Sequence, residues 1–379
     1  MKKSLFALAL GTFALGISEF IMEGILVDIA TSLHVSIPQA GHLISVYAIG
    51  VCLGSFSLIV MHKYRPKSIL MFLTSVMTIG AIGASLAPSY STLLLARLVQ
   101  GLPHGAYFGV GCIIAVKLAR EGKGASAVSL MCAGMTVANL VGVPFGTMLS
   151  HQFSWRMPFY MAILLGLLTL LLIHSWVPNV EALPNNGMKA QFRFLRHKAP
   201  WLILLATFFG NGGVLCWFSY ISPLLQKNGG FDASVISALM AFAGVGMVIG
   251  NLLSGQLCDR YKPGRIACTI QAVSAAALLL VFFLSHVGWV SVGLMFVICG
   301  CLFGVSSPQQ FLILKHSEGG EMLGGCCIQS AFNLGNAAGA FLGGIPVSLG
   351  MGFNWPALVG VPLAVAGAAC LFAFHKRYE

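Results

Sequence analysis

The sequence predicts an all-α membrane protein of twelve transmembrane helices in two six-helix pseudo-repeats. Three observations carry this. First, 58% of the 379 residues are hydrophobic and only 8% are charged, whereas a soluble domain carries roughly 25% charged residues. Second, the apolar runs are of helix length and do not alternate in ~10-residue segments, which excludes a β-barrel. Third, one polar stretch near the middle of the chain separates two halves that share short motifs.

Twelve spans follow in order: 4–28, 38–61, 68–88, 91–117, 124–150, 157–177, 201–226, 233–257, 264–285, 289–313, 321–348 and 354–374. Lys2 and Lys3 before the first run imitate a secretory leader. The run continues past leader length and contains Glu19 and Glu23, so it reads as an uncleaved first helix. Pro66, Pro88, Pro178 and Pro263 mark turns. Pro103, Pro144, Pro308 and Pro346 fall inside spans and predict kinks that neighbouring helices re-satisfy. The 45 glycines and 16 methionines suit close helix packing and adaptable apolar surfaces. The eleven cysteines lack metal-ligand spacing and read as small apolar packing residues, with no disulfide expected.

The net charge of +11 does not point to nucleic acid, because the basic residues sit in short clusters between spans. All of the 21 Lys and Arg except Arg97, Arg156 and Lys227 fall on the side that holds both termini. The positive-inside rule therefore places both termini in the cytoplasm. Val177–Ala199 is polar and Pro/Asn-rich before a basic stretch with Phe192, Phe194 and Leu195. It reads as a cytoplasmic linker, with room for a short interfacial helix. The domains expected are thus a bundle over 1–177, a linker over 178–200 and a bundle over 201–379. The repeat supports this division. Lys63-Tyr64-Arg65-Pro66-Lys67 recurs as Arg260-Tyr261-Lys262-Pro263-Gly264-Arg265, Thr12-Phe13 as Thr207-Phe208, and Asn139-Leu140 as Asn333-Leu334, at offsets of 197, 195 and 194. Parallel six-helix repeats joined by a cytoplasmic loop are one plan of secondary transporters.

Intramembrane charge is the sharpest functional signal. An ionised group in hydrocarbon is costly and normally faces a protein interior or a watery cavity. Glu19 and Glu23 lie four residues apart, hence on one helix face about 6 Å apart, and would titrate as a coupled pair. Arg97 cannot shed its proton and needs an acceptor. By depth alone Glu19 is its expected partner, and snorkelling of Arg97 to the outer interface is the alternative. At an offset of 195, Glu19 and Glu23 map onto Val214 and Phe218, and the second-half acids Asp232, Asp259, Glu318, Glu321 and Glu379 lie in loops or at ends. Proton chemistry is therefore expected in the first six helices.

Several motifs carry a family resemblance. Gly255-Gln-Leu-Cys-Asp259-Arg260 resembles the Gly-x-x-x-Asp-Arg loop of the major facilitator superfamily. Its first-half copy is degenerate, with Leu58 and His62 in place of glycine and aspartate. In that family the loop latches the outward-open state, which implies different latch partners here. Arg97-Leu-Val-Gln-Gly101 is similar to the Arg-x-x-x-Gly motif of proton-coupled members. Gly134, Gly142, Pro144 and Gly146 resemble the Gly/Pro-rich antiporter motif, without a glycine before the proline, and Trp155-Arg156 resembles the Trp-Arg that opens span six in drug:proton antiporters. With Glu19-Phe20, Gly101-Leu-Pro-His-Gly-Ala106 and Phe332-Asn-Leu-Gly335, the chain looks most like arabinose-efflux-permease-like exporters of that drug:proton antiporter group.

The resemblance implies a secondary transporter, not an enzyme, working by alternating access without a cofactor or metal. It implies proton-coupled efflux of a sugar, drug or metabolite by a monomer embedded in the bilayer. A uniporter or sugar facilitator, with the acids binding solute instead of protons, is the alternative within transport. A membrane receptor is the alternative from another class. Family analogy lines the cavity with helices one, four, seven and ten, and so with His104, Tyr107, Asn211, Trp217, Tyr220, Gln309 and Gln310 beside the two acids. Helices five and eleven add Asn139, Gln329, Asn333 and Asn336. Each amide could instead form an interhelical hydrogen bond, and Trp217 and Tyr220 could anchor at the lipid interface.

Overall fold

Helix follows helix along the computed structural model, which describes residues 2–35, 37–61, 63–181 and 191–379 and contains no strand among them. The first half consists of α1 (Lys2–Ser32), α2 (Ile37–Ser55), α3 (Ser57–Met61), α4 (Pro66–Ser85), α5 (Tyr90–Leu118), α6 (Gly124–Val137), α7 (Val143–Gln152) and α8 (Met157–Trp176). The second half consists of α9 (Lys198–Phe218), α10 (Ile221–Lys227), α11 (Ala233–Cys258), α12 (Pro263–Leu284), α13 (Gly288–Lys315), α14 (Glu321–Ser348) and α15 (Trp355–Tyr378). With α2–α3, α6–α7 and α9–α10 each taken as one crossing, these are the twelve expected spans. Ten of them, among the described residues, are long and apolar enough to cross a membrane by length and composition.

Three expected single helices are broken, and each break has a local cause. Pro223 lacks the N–H that would bond the Ser219 carbonyl, and its ring crowds that carbonyl, so the chain turns between α9 and α10. At the α2–α3 break the Ser55 hydroxyl bonds Val51 O at 3.0 Å and the Ser57 hydroxyl bonds Gly54 O at 2.6 Å, side-chain bonds that compete with the helix ladder. Between α6 and α7 the residues Ala138–Gly142 form one π-helical turn just ahead of Pro144. A wider turn accommodates the donor that proline lacks, and such turns recur at functional sites. Pro103, Pro308 and Pro346 lie inside α5, α13 and α14. The linker ends in a short 3-10 turn, Arg193–Arg196, with Phe194 buried, while 182–190 lie outside the described residues.

The chain divides by its contacts into two units, Met1–Phe194 with Ser317–Ser330, and Leu195–His316 with Ala331–Glu379. In the first unit, α1 packs along α6 and α7 on the glycines singled out in the sequence. A Cβ on Gly134 would lie 1.9 Å from Ala9 O, and one on Gly142 or Gly146 would lie 2.7 Å from Ile17 or Ile21. Ile17, Ile21, Met22, Ile25 and Ile29 of α1 form a buried core with Leu43, Leu93, Trp155 and Phe159. In the second unit, α14 lies on α9 along a seam of backbone. Gly335, Gly339 and Gly343 face the carbonyls of Phe208, Gly212 and Cys216, and an added Cβ would meet each carbonyl oxygen at 2.3 to 2.4 Å. The residues left exposed on long helices, such as Ile79, Leu95, Leu164, Leu171 and Phe283, are apolar, as a lipid-facing surface requires.

Candidate functional site

Three helices of the first unit bring the buried charges together. α2 and α5 approach at backbone distance, because a Cβ on Gly101 would lie 2.2 Å from Tyr47 O and one on Gly54 would lie 1.7 Å from Leu102 O. This gives the Arg-x-x-x-Gly spacing a physical meaning. Gly101 sits one turn after Arg97 and admits the α2 backbone at Tyr47, so the tyrosine ring comes to rest against the arginine. The Arg97 guanidinium is 4.4 Å from the centre of that ring, well within cation–π range.

Arg97 is fully buried, with Nη1 and Nε on neutral acceptors and Nη2 without a hydrogen-bond partner among the described residues. Nη1 donates to Ser18 O at 2.6 Å and to Gln100 Oε1 at 2.9 Å, and Nε donates to Leu43 O at 3.4 Å. The hydrogen bonds of Arg97 thus reach the backbone of the residue before Glu19, the backbone of α2 and a side chain of α5. The snorkelling alternative fails, since Arg97 does not reach the surface.

Glu19 lies against His104, two turns beyond Arg97 on α5. Glu19 Oε2 is 3.8 Å from His104 Nε2, with the histidine fully buried and the carboxylate 11% exposed. The other ring nitrogen, Nδ1, is 2.9 Å from Tyr47 Oη, and Phe108 stacks on the imidazole at 5.4 Å. The order Glu19–His104–Tyr47–Arg97 is thus continuous, with a slightly open carboxylate at one end and a permanent cation at the other. Such a set can hold one exchangeable proton beside a fixed positive charge. His104, expected to contact solute, belongs to this cluster. Tyr47 was missed in the sequence, and the one signal for it was the glycine spacing of the two helices. The backbone of Glu23 lies in α1, but its side chain lies outside the described residues.

Other expected site residues have packing partners in the first unit. Tyr107 is buried, lies over Gly11 and donates to Leu8 O at 3.3 Å. Asn139 donates to Met135 O of its own helix at 3.2 Å. Gln329 is buried in the part of α14 that belongs to this unit.

The second unit holds neutral polar groups. Asn211 and Gln309 are buried, and neither atom of either amide has a hydrogen-bond partner among the described residues. The same holds for Trp217 Nε1, and Trp217 is 1% exposed, which rules out lipid-interface anchoring. Gln310 and Asn333 are buried, Asn336 is half-buried, and Tyr220 donates to Ala340 O at 3.1 Å and so fastens α10 to α14. Gln271 and Ser274, three residues apart on α12, are buried polar groups that the sequence reading passed over. Gln271 lies over Gly210, where an added Cβ would meet its Oε1 at 2.3 Å.

The loop motifs occupy corresponding places in the two units. Gly255 closes α11 by accepting from Asp259 N at 3.3 Å, Asp259 is half-buried and Arg260 is exposed. Next to them Lys262 bonds the Glu379 carbonyl, and the Glu379 carboxylate accepts from Gly264 N at 2.9 Å at the start of α12. In the first unit Lys67 donates to His174 O at 2.7 Å near the end of α8. A basic side chain at a helix C-terminus is a favourable dipole contact. Leu58 is buried, and His62 lies outside the described residues. Arg156 completes the set by bonding Ser85 O at 3.1 Å and Ala87 O at 2.8 Å, which caps α4, while its guanidinium stacks on Trp155 at 4.0 Å.

Comparison with known proteins fits this architecture. The chain is 43% identical to AraJ of Escherichia coli (strain K12), named as a transporter, over 100% of this chain and 97% of AraJ. It is 35% identical to the inner membrane transport protein YdhP of the same organism, over 98% of this chain and 95% of YdhP. Among solved structures it resembles FucP, a Major Facilitator Superfamily transporter in the outward conformation, with a TM-score of 0.78 at 17% identity over 99% of this chain and 98% of FucP. The proton:xylose symporter XylE gives 0.75 at 14% identity over 98% and 95% of the two chains. The family profile of the Major Facilitator Superfamily matches residues 8–325, and the chain, a multi-pass membrane transporter and not an enzyme, belongs to that superfamily.

Proposed function

We propose that the protein is a proton-coupled exporter of a small neutral or weakly amphipathic solute, a sugar, drug or metabolite, working as a monomer by alternating access. In this reading it lies in the bacterial inner membrane with both termini in the cytoplasm, and 178–200 links bundles 1–177 and 201–379. The observation that carries the proton half is the Glu19–His104 contact of 3.8 Å, set beside an arginine held by neutral acceptors. Because Arg97 has bonds to Ser18 O, Leu43 O and Gln100 Oε1 whatever the charge on Glu19, the carboxylate can gain and lose a proton without stranding the arginine. Protonation from outside weakens the charge contact within the cluster and favours solute release and return of the empty carrier. The amide and indole groups of Asn211, Gln309 and Trp217 supply the solute half, since buried polar atoms without a protein partner favour a ligand that offers donors and acceptors. Gln310, Asn333 and Asn336 are further polar groups of the same unit that could meet the solute.

The test has two stages. A thermal-shift screen of sugars and of cationic and neutral drugs at two pH values first identifies the solute. Proteoliposomes with an imposed pH gradient then compare wild type with Glu19→Gln. The expected result is that uphill transport falls to the level of empty vesicles while downhill exchange survives. Undiminished, gradient-responsive transport by Glu19→Gln would overturn the proton role. A facilitator is the answer if wild type merely equilibrates solute after the gradient is collapsed and never concentrates it before.

A further inference from the structure

Tyr47 joins the imidazole of the buried cluster to its arginine. It is 2% exposed, its hydroxyl is 2.9 Å from His104 Nδ1 and its ring lies under Arg97. We propose that Tyr47 is a positioning residue of the proton site, whose hydroxyl serves both protonation states of the Glu19–His104 pair by turning from donor to acceptor. This rests on the proton-coupled reading above.

The argument is one of hydrogen bookkeeping. When the pair carries no extra proton, Glu19 is a carboxylate and the neutral imidazole best keeps its hydrogen on Nε2, facing the charge. Nδ1 then has a lone pair and accepts from the Tyr47 O–H. When one proton is added from water, two arrangements bring a hydrogen to Nδ1. Either a protonated Glu19 donates to the lone pair of Nε2, or an imidazolium faces the carboxylate. In both, Tyr47 Oη must accept it, whereas a protonated Glu19 that accepts from Nε2–H would leave Tyr47 the donor. A phenolic hydroxyl can do either. On the Tyr47 side only the hydroxyl rotates, while Glu19 and His104 close from 3.8 Å to hydrogen-bond distance. No other bond forms or breaks, and one proton is taken up.

The surroundings leave this task to Tyr47. α1 contributes Glu19, α5 contributes Arg97 and His104 themselves, and the imidazole of α2, His42, is engaged with Tyr90 Oη at 3.2 Å. α4 carries only Lys67, in its first turn, and α6 carries no carboxylate, amine or imidazole. Phe108 closes the face of the imidazole without offering a hydrogen bond. The ring and the hydroxyl thus have separable duties. The ring fixes Arg97 by cation–π contact, and the hydroxyl fixes the ring plane and tautomer of His104.

The experiment is an infrared pH titration of the purified, full-length protein in lipid nanodiscs, reading the protonated-carboxyl band that is lost in Glu19→Gln. Tyr47→Phe keeps the platform and removes the hydroxyl. A donor left without a partner on the charged form is penalised more than an unfilled acceptor on the neutral form. The expected result is therefore a midpoint displaced to more acidic pH by about tenfold in proton concentration, with the melting temperature held close to wild type. Tyr47→Trp, a second ring-bearing variant, should shift in the same direction if Tyr47→Phe fails to fold. A Tyr47→Phe midpoint equal to wild type overturns the role of Tyr47 and leaves the proton site standing. A wild type with no Glu19-dependent band titrating between about pH 5 and 9 overturns the proton site itself.

Discussion

The two units share a fold plan and differ in what they bury. The first unit buries charge: Arg97 and His104 are fully enclosed, and Glu19 nearly so. The second buries amides, an indole and a seam of glycine against backbone carbonyls. Thr12-Phe13 recurs as Thr207-Phe208, yet Val214 stands where the first half has Glu19. One half buries ionisable groups, and the other neutral ones. Charge inside the membrane is tolerated only where the protein supplies a polar shell, so confining it to one unit leaves the other free of that requirement.

This contrast can be broken by mutation, most severely in the first unit. Arg97→Met should destabilise the protein by about 3–5 kcal/mol, because it strands Gln100 and the Ser18 carbonyl and breaks a buried charge network. Denaturant unfolding in detergent measures this, and a loss no larger than that of Asn211→Leu would erase the distinction between units. Glycine seams should matter in both units alike. Gly134→Ala and Gly339→Ala each force a helix pair apart and should cost about 1–3 kcal/mol by overpacking, read as a lower melting temperature. The second-unit amides should behave differently. Asn211→Leu and Gln309→Leu remove no internal hydrogen bond, so stability should change by less than about 1 kcal/mol. The thermal shift produced by the solute should nevertheless disappear, and its persistence would take these residues out of the solute site. The smallest effects belong to the matched loop contacts. Lys67→Ala and Lys262→Ala should each cost about 0.3–1 kcal/mol, as helix-end charges do, and less at high salt.

Much of the fold was legible in the sequence, because apolar length and the spacing of basic clusters are one-dimensional signals. Where expected helices broke, the cause was local: Pro223 ends α9, and Pro144 follows the π turn after α6. The composition of the buried cluster was legible for the same reason, since Glu19 and Arg97 stand out as charges in apolar runs. Their hydrogen-bond partners were not. Which face of α5 meets which face of α1 depends on the rotation set by Gly101 and Tyr47 at a neighbouring helix, and depth along the membrane says nothing about it. Tyr107 adds a second point, since its hydroxyl bonds Leu8 O inside the first unit. A polar residue announces that it needs a partner without saying whether the partner is solute or scaffold.

The α9–α14 seam has a consequence for how such a protein can change over evolutionary time. Gly335, Gly339 and Gly343 meet main-chain carbonyls, so the two helices are registered by backbone and not by interlocking side chains. Residues elsewhere on α9 and α14, Asn211 and Asn336 among them, are therefore not required to hold the helices together. They can be exchanged one at a time for others of different size and polarity while the frame stays in place. A transporter built this way can acquire a new cargo through single substitutions outside the seam, provided that the three glycines stay.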